Sequence, residues 1–146
     1  MNLQRERLYR LYDSINRISK IYEAWSRKHG LTYAEMQLFY SLLEDDEKIT
    51  QKDLCDYLEA PKTTINSIVK KYLNKQYIQL EVNPANKKEK FISLTQEGKQ
   101  YASFILPLIE IEENLMKKIS DDELNQVEHI LSFYADELLQ AAAGQC

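Results

Sequence analysis

Apolar residues recur at helical spacing along most of this chain and alternate in one short stretch only. Leu8, Leu11, Ile15, Ile18, Tyr22 and Trp25 step by three and four residues up to Gly30, a fitting residue just past a helix end. Thr32 and Glu35 then have capping-box spacing ahead of Met36, Phe39, Tyr40 and Leu43. Thr50 and Asp53 repeat that spacing before Leu54, Tyr57 and Leu58. After a break at Glu59-Ala60-Pro61, with Pro61 expected at the first position of the next helix, Ile65, Ile68, Val69, Tyr72 and Leu73 form an inward stripe. Ile78, Leu80 and Val82 alternate, Asn83-Pro84-Ala85-Asn86 marks a turn, and Ile92 and Leu94 alternate again, which predicts a β-hairpin. Thr95 can cap a long helix to Ile119, kinked at Pro107. Ser120 and Glu123 open a last helix with Leu124, Val127, Leu131, Tyr134 and Leu138 on one face.

The polar side of the helix that follows Pro61 changes the picture. It carries Lys62, Thr63, Asn66, Ser67, Lys70 and Lys71 and no carboxylate. A helix that enters a major groove needs such a face: cations for phosphates, and side chains that both donate and accept for base edges. Two short helices and then a hairpin tip with Lys87, Lys88 and Lys90 define a winged helix–turn–helix, the wing touching phosphate or minor groove. Thr63, Asn66 and Ser67 are expected near base edges, with Lys62, Lys70 and Lys71 toward phosphates and Lys87 and Lys88 on flanking DNA.

The net charge of −4 argues against this only when taken over the whole chain. Residues 62–90 hold seven lysines against Glu81 and Glu89, a net +5, whereas residues 110–137 are at −7. A polyanion responds to the local field within a Debye length of about 8 Å. The segregated charge is therefore compatible with DNA. With 146 residues the chain is long enough for a buried core. It has no apolar run near the ~20 residues of a membrane span and no signal-peptide pattern, so a cytoplasmic location is expected. Cys55 and Cys146 give no disulfide framework. Cys55 reads as a small packed residue, and Cys146 lies on a short polar tail, 141–146, expected to fray. Neither has a cation cluster beside it in sequence.

In the long helix after Thr95, apolar residues from Tyr101 to Ile119 spread around much of the circumference. One small core cannot cover them, and the simplest partner is a second copy of the chain.

The order of these elements resembles the MarR (multiple antibiotic resistance regulator) family. The resemblance spans nearly the whole chain and rests most on TQKDLCDYL, TTINSIVKKYLNKQYI and NPANKKEKFISLTQEGK, the last containing Leu94-Thr95-Gln96-Glu97-Gly98. It implies a mainly α fold with a small β-hairpin, the winged helix–turn–helix at 32–95 and dimerisation helices at 1–30 and 96–140. It further implies a homodimer on a pseudo-palindromic double-stranded operator, whose binding responds to a small aromatic or lipophilic effector or to an oxidant; a repressor is expected, with activation the alternative if the operator lies elsewhere relative to a promoter. Tyr12, Tyr22 and Tyr40 lie on helices that border the effector pocket in that family, although each also sits on a stripe that ordinary core packing explains. Two departures stand out. Asn86-Lys87 replaces the family's Asp-Arg at the wing, and Gln76 replaces its glycine after the second helix.

An enzyme has little to stand on. Three glycines form no phosphate loop, and neither a nucleophile elbow nor a metal-site spacing around His29 or His129 is present. No cofactor is implied, and Glu110, Glu112 and Glu113 read as a solvated helix face. The stronger rival is a winged helix that binds proteins instead of DNA, whose second helix would show acids or apolar residues outward.

Overall fold

The structure, a computed structural model, describes residues 2–44, 48–58 and 60–145. Two compact units form, Met1–Ile105 and Leu106–Cys146. The first holds α1 (Leu3–Lys28), α2 (Tyr33–Glu44), β1 (Ile49–Thr50), α3 (Gln51–Tyr57), α4 (Lys62–Asn74), β2 (Ile78–Val82), β3 (Lys90–Leu94), α5 (Gln96–Ala102) and a 3₁₀ turn at Ser103–Ile105. The second holds α6 (Leu106–Met116) and α7 (Asp121–Ala143).

The polar boundary residues do what their spacing promised. Capping boxes start α3 at Thr50/Asp53 and α7 at Ser120/Glu123, and Thr32 and Glu35 exchange the same pair of bonds ahead of α2. Both α1 and α4 end in Schellman motifs. In α1, Gly30 is left-handed at φ +72° and its N–H reaches the Arg27 carbonyl, while the Leu31 N–H reaches that of Ser26. In α4 the same bonds run from Gln76 to Leu73 and from Tyr77 to Tyr72, with Gln76 at φ 60°. Glutamine thus adopts the backbone that glycine takes freely, at a steric cost of ~1–2 kcal/mol.

Leu38, Phe39, Leu54, Ile65, Tyr72, Ile92 and Ile105 are buried in the first unit. A run of ring contacts joins Trp25, His29 and Phe104, then Tyr101, Phe39, Tyr72 and Tyr77. The sheet order is β1-β3-β2, antiparallel throughout, with Ile49 opposite Ile92 and Ile78 opposite Leu94.

Several expectations shift. Tyr57, expected on the apolar face of its helix, is 76% exposed, and the stripe of α3 narrows to Leu54 and Leu58. Leu42 is buried in α2 where Leu43 is only half-buried. Pro61 is the N-cap of α4, one residue earlier than the first-turn position, and Glu59 of the expected break lies outside the described residues. The helix expected from Thr95 to Ile119 is split. Pro107 offers no N–H to the Ser103 carbonyl four residues back and its ring crowds that oxygen; the chain tightens into the 3₁₀ turn there, and α6 ends at Met116. The tail is also helical further than expected, through Ala143; Cys146 lies outside the described residues.

One close approach fastens the end of α4 to the start of α5. The Thr95 hydroxyl accepts the Gly98 N–H at 3.0 Å and donates to the Gln76 carbonyl at 2.6 Å, and the Thr95 N–H bonds the Tyr77 carbonyl at 3.0 Å. A Cβ on Gly98 would lie 1.8 Å from the Tyr77 carbonyl oxygen. Backbone, not a yielding side chain, occupies that space. Substitutions at these two sites should therefore act in opposite directions in denaturant unfolding. Gly98→Ala is expected to lose ~3 kcal/mol or more by overpacking. Gln76→Gly is expected to gain up to ~1 kcal/mol, the relieved strain less the added backbone entropy.

Candidate nucleic-acid interface

The outer face of α4 follows from its inner one. Because Ile65, Ile68, Val69 and Tyr72 are buried, Lys62, Thr63, Asn66, Ser67, Lys70 and Lys71 are turned outward, and all six are exposed. Thr64, outside the expected stripe, is exposed with them. Ser67 donates its hydroxyl to the Thr63 carbonyl at 3.0 Å, so its oxygen keeps acceptor capacity outward.

Beside this face, α3, the start of α4 and the wing enclose a cleft of about 480 Å³. Lys52, Lys62, Lys88 and Lys90 line it together with a single carboxylate, Glu89. Cys55, half-buried, lines it as well. Four cations from three separate elements thus meet on one side of the fold. Lys52 is not recognisable from sequence, because it precedes the basic segment and shows no pattern of its own. Lys90 belongs to the first pair of the β2–β3 ladder, opposite Val82, and is not at the hairpin tip.

The wing projects beyond the core. Ile78 is buried at its base, but Leu80 and Val82 are 38% and 59% exposed. Its tip is held by two asparagines. The Asn83 side chain accepts the Ala85 N–H at 2.9 Å, and the Asn86 side chain accepts the Lys88 N–H at 3.2 Å. The Glu89 N–H closes on the Asn86 carbonyl at 3.0 Å. Asn86 therefore fixes the turn that carries Lys87 and Lys88 through its own backbone neighbours.

Lys71 has a partner within the protein. Its ammonium bonds Oε1 of Glu35, a buried carboxylate at the start of α2 whose Oε2 accepts the Thr32 N–H at 2.9 Å. Lys71 ties α4 to α2; its partner lies 36 positions away, beyond the reach of any local sequence pattern. Burial alone would raise the Glu35 pKa. The Lys71 ammonium and the Thr32 amide outweigh it and hold the carboxyl below its ordinary value. Burial, together with the Glu35 charge, pushes the neighbouring Tyr72 phenol upward.

Tyr12 is 40% exposed on α1, and Tyr22 and Tyr40 are half-buried on α1 and α2. Tyr72, Tyr77 and Tyr101 gather in the core rings described above. His29 caps α1, with Nδ1 2.8 Å from the Trp25 carbonyl and its ring stacked on Phe104. Among the described residues no His, Cys, Asp or Glu group could hold a metal ion, and no helix is long and apolar enough to cross a membrane.

This geometry defines a winged helix–turn–helix, and residues 31–98 match the family model described as a winged helix DNA-binding domain. The whole chain has the fold of MarR-family transcription regulators. A MarR family regulator from Neisseria meningitidis aligns over all of both chains, with 21% identity and a TM-score of 0.79. The S. aureus MepR–DNA complex aligns over 87% of this chain and 98% of that one, with 20% identity and a TM-score of 0.61. In sequence, the HTH-type transcriptional regulator SarZ of Staphylococcus epidermidis is 25% identical over 131 residues, covering 90% of this chain and 88% of the relative. These relatives are regulators, not enzymes.

The Glu35–Lys71 pair has a pH signature. A carboxyl whose pKa is lowered by folding stabilises the fold above its unfolded value near 4.5, and that contribution disappears as pH falls through the lowered folded value. Glu35→Gln is expected to cost ~1 kcal/mol at pH 7, kept small because Lys71 is half-exposed and screened. The gap between wild type and variant should close on acidification below pH 4 in urea unfolding. A gap independent of pH would assign the loss to packing.

Proposed function

We propose that the chain is a cytoplasmic, sequence-specific repressor that binds a pseudo-palindromic duplex operator as a homodimer. The observation that carries this reading is the carboxylate-free outer face of α4 flanked by the lysine-lined cleft and the wing. On B-DNA, α4 enters the major groove with Thr63, Asn66 and Ser67 at base edges. Lys62 and Lys70 meet phosphates, and Lys87 and Lys88 lie along the flanking backbone or minor groove.

Two apolar surfaces support the homodimer. On α1, Leu3, Ile18 and Ile21 are more than half exposed. In the second unit, α7 has no buried residue, and Val127, Ile130, Phe133 and Leu139 are likewise open. Side chains of this size on a solitary protomer form the kind of patch that marks an interface, and a two-fold pair of chains matches a two-fold operator. The recognition helices of the pair would then sit about 34–36 Å apart to reach successive major grooves. A small aromatic or lipophilic effector that changes this spacing would release the operator, which is how a repressor of this design answers a ligand.

Selection from random duplexes followed by sequencing tests the reading. An inverted repeat with half-sites about one helical turn apart is expected. Binding without enrichment would point to a nonspecific architectural role, and no binding at low salt would favour a protein-interaction module. On the selected operator, Lys87→Ala with Lys88→Ala should flatten the log–log salt dependence of affinity by ~0.9 for each phosphate that is no longer neutralised. An unchanged slope would remove the wing from the interface.

A further inference from the structure

Besides the Glu35–Lys71 pair, a second side-chain bond reaches the outer face of α4 from another helix. Gln51, the first residue of α3, donates its Nε2 hydrogen to Oδ1 of Asn66 across 15 positions of sequence. Both residues line the lysine cleft. Gln51 is half-buried and Asn66 exposed, so the pair runs from the scaffold outward.

The base of this pair is rigid. Thr50, immediately before Gln51, is paired with Phe91 in the sheet and closes a capping box with Asp53, its N–H on Asp53 Oδ2 at 2.9 Å and its hydroxyl accepting the Asp53 N–H at 3.1 Å. The Gln51 backbone is therefore held by strand pairing on one side and by a helix cap on the other. A long amide on such a base can orient a second amide, because supporting bonds from fixed elements decide how tightly a contacting group is held.

The orientation has chemical content. An asparagine with a free amide shows a base both an acceptor and donors and suits adenine, whose N6–H₂ donates and whose N7 accepts. With Oδ1 engaged by Gln51, Asn66 shows mainly its two Nδ2 hydrogens. Two donors match the edge that has two acceptors, guanine O6 and N7.

Resting on the DNA-reading role proposed for α4, we propose that Gln51 is a specificity-determining positioning residue that sets the base Asn66 reads and makes it guanine. Gln51 need not touch the DNA. It acts by fixing the Asn66 amide.

Random-duplex selections with wild type, Asn66→Ala, Gln51→Ala and Gln51→Glu provide the test, with urea unfolding to show that each variant is folded. Wild type should prefer guanine at one position of each half-site, and Asn66→Ala should lose that preference, about tenfold or more. Gln51→Ala should relax the same position and leave the others unchanged. Gln51→Glu is the diagnostic variant. A carboxylate only accepts, so it takes an Nδ2 hydrogen from Asn66, turns Oδ1 outward and shifts the preference from guanine to adenine at that position. The proposal is overturned if the Gln51 variants keep the wild-type base preference there, or weaken all sequences uniformly. If wild type itself enriches no sequence, the DNA-reading role of α4 falls first, an outcome distinct from an enriched motif that ignores Gln51.

Discussion

The contact between Gly98 and the Tyr77 carbonyl is the constraint on which the DNA-binding lobe depends. Four chain segments meet there: the end of α4, the first residue before β2, the end of β3 and the first turn of α5. With no side chain at 98, the α5 backbone can come up against the Tyr77 peptide. Thr95 then serves three needs at once: it caps α5, covers the Gln76 carbonyl exposed by the left-handed turn, and ties β3 to Tyr77. The direction in which α4 points, the take-off of the wing and the start of α5 are set by one knot of backbone.

Charge acts at a second level. The basic side of the lobe is assembled from lysines of α3, α4 and the wing, each an ordinary surface residue by itself. Their convergence lets a chain of net −4 offer a polyanion an attractive surface. Lys71, on the same outer face, also serves the fold itself. Its charge is neutralised by Glu35 within the protein, and its effect is to hold α4 against α2.

Most of the architecture is legible in the sequence because it is encoded locally. Capping boxes lie within four residues, stripes within a helix and the hairpin within one turn, and these signals place α1 to α4, the wing and α7. What is not legible is encoded between distant residues or by competition. The pairings Glu35–Lys71 and Gln51–Asn66 join separate helices. The two-residue strand β1 exists only because β3 offers it an edge. The exposure of Tyr57 reflects a seven-residue helix too short to bury a third apolar position. A stripe tells which side of a helix is apolar, but not which rings from other segments will meet it, as Tyr72, Tyr77 and Tyr101 do in the core.

Thr50 is at once the end of β1 and the cap of α3, and no residue separates strand from helix. Strand and helix therefore move as one piece. β1 is bonded to β3, which is itself one arm of the wing. A load applied at the wing tip is carried down β3, across the ladder to β1 and directly into α3, with no residue between strand and helix to absorb it. The wing and the first helix of the helix–turn–helix form a single lever, whose short arm ends beside the exposed surface of α4.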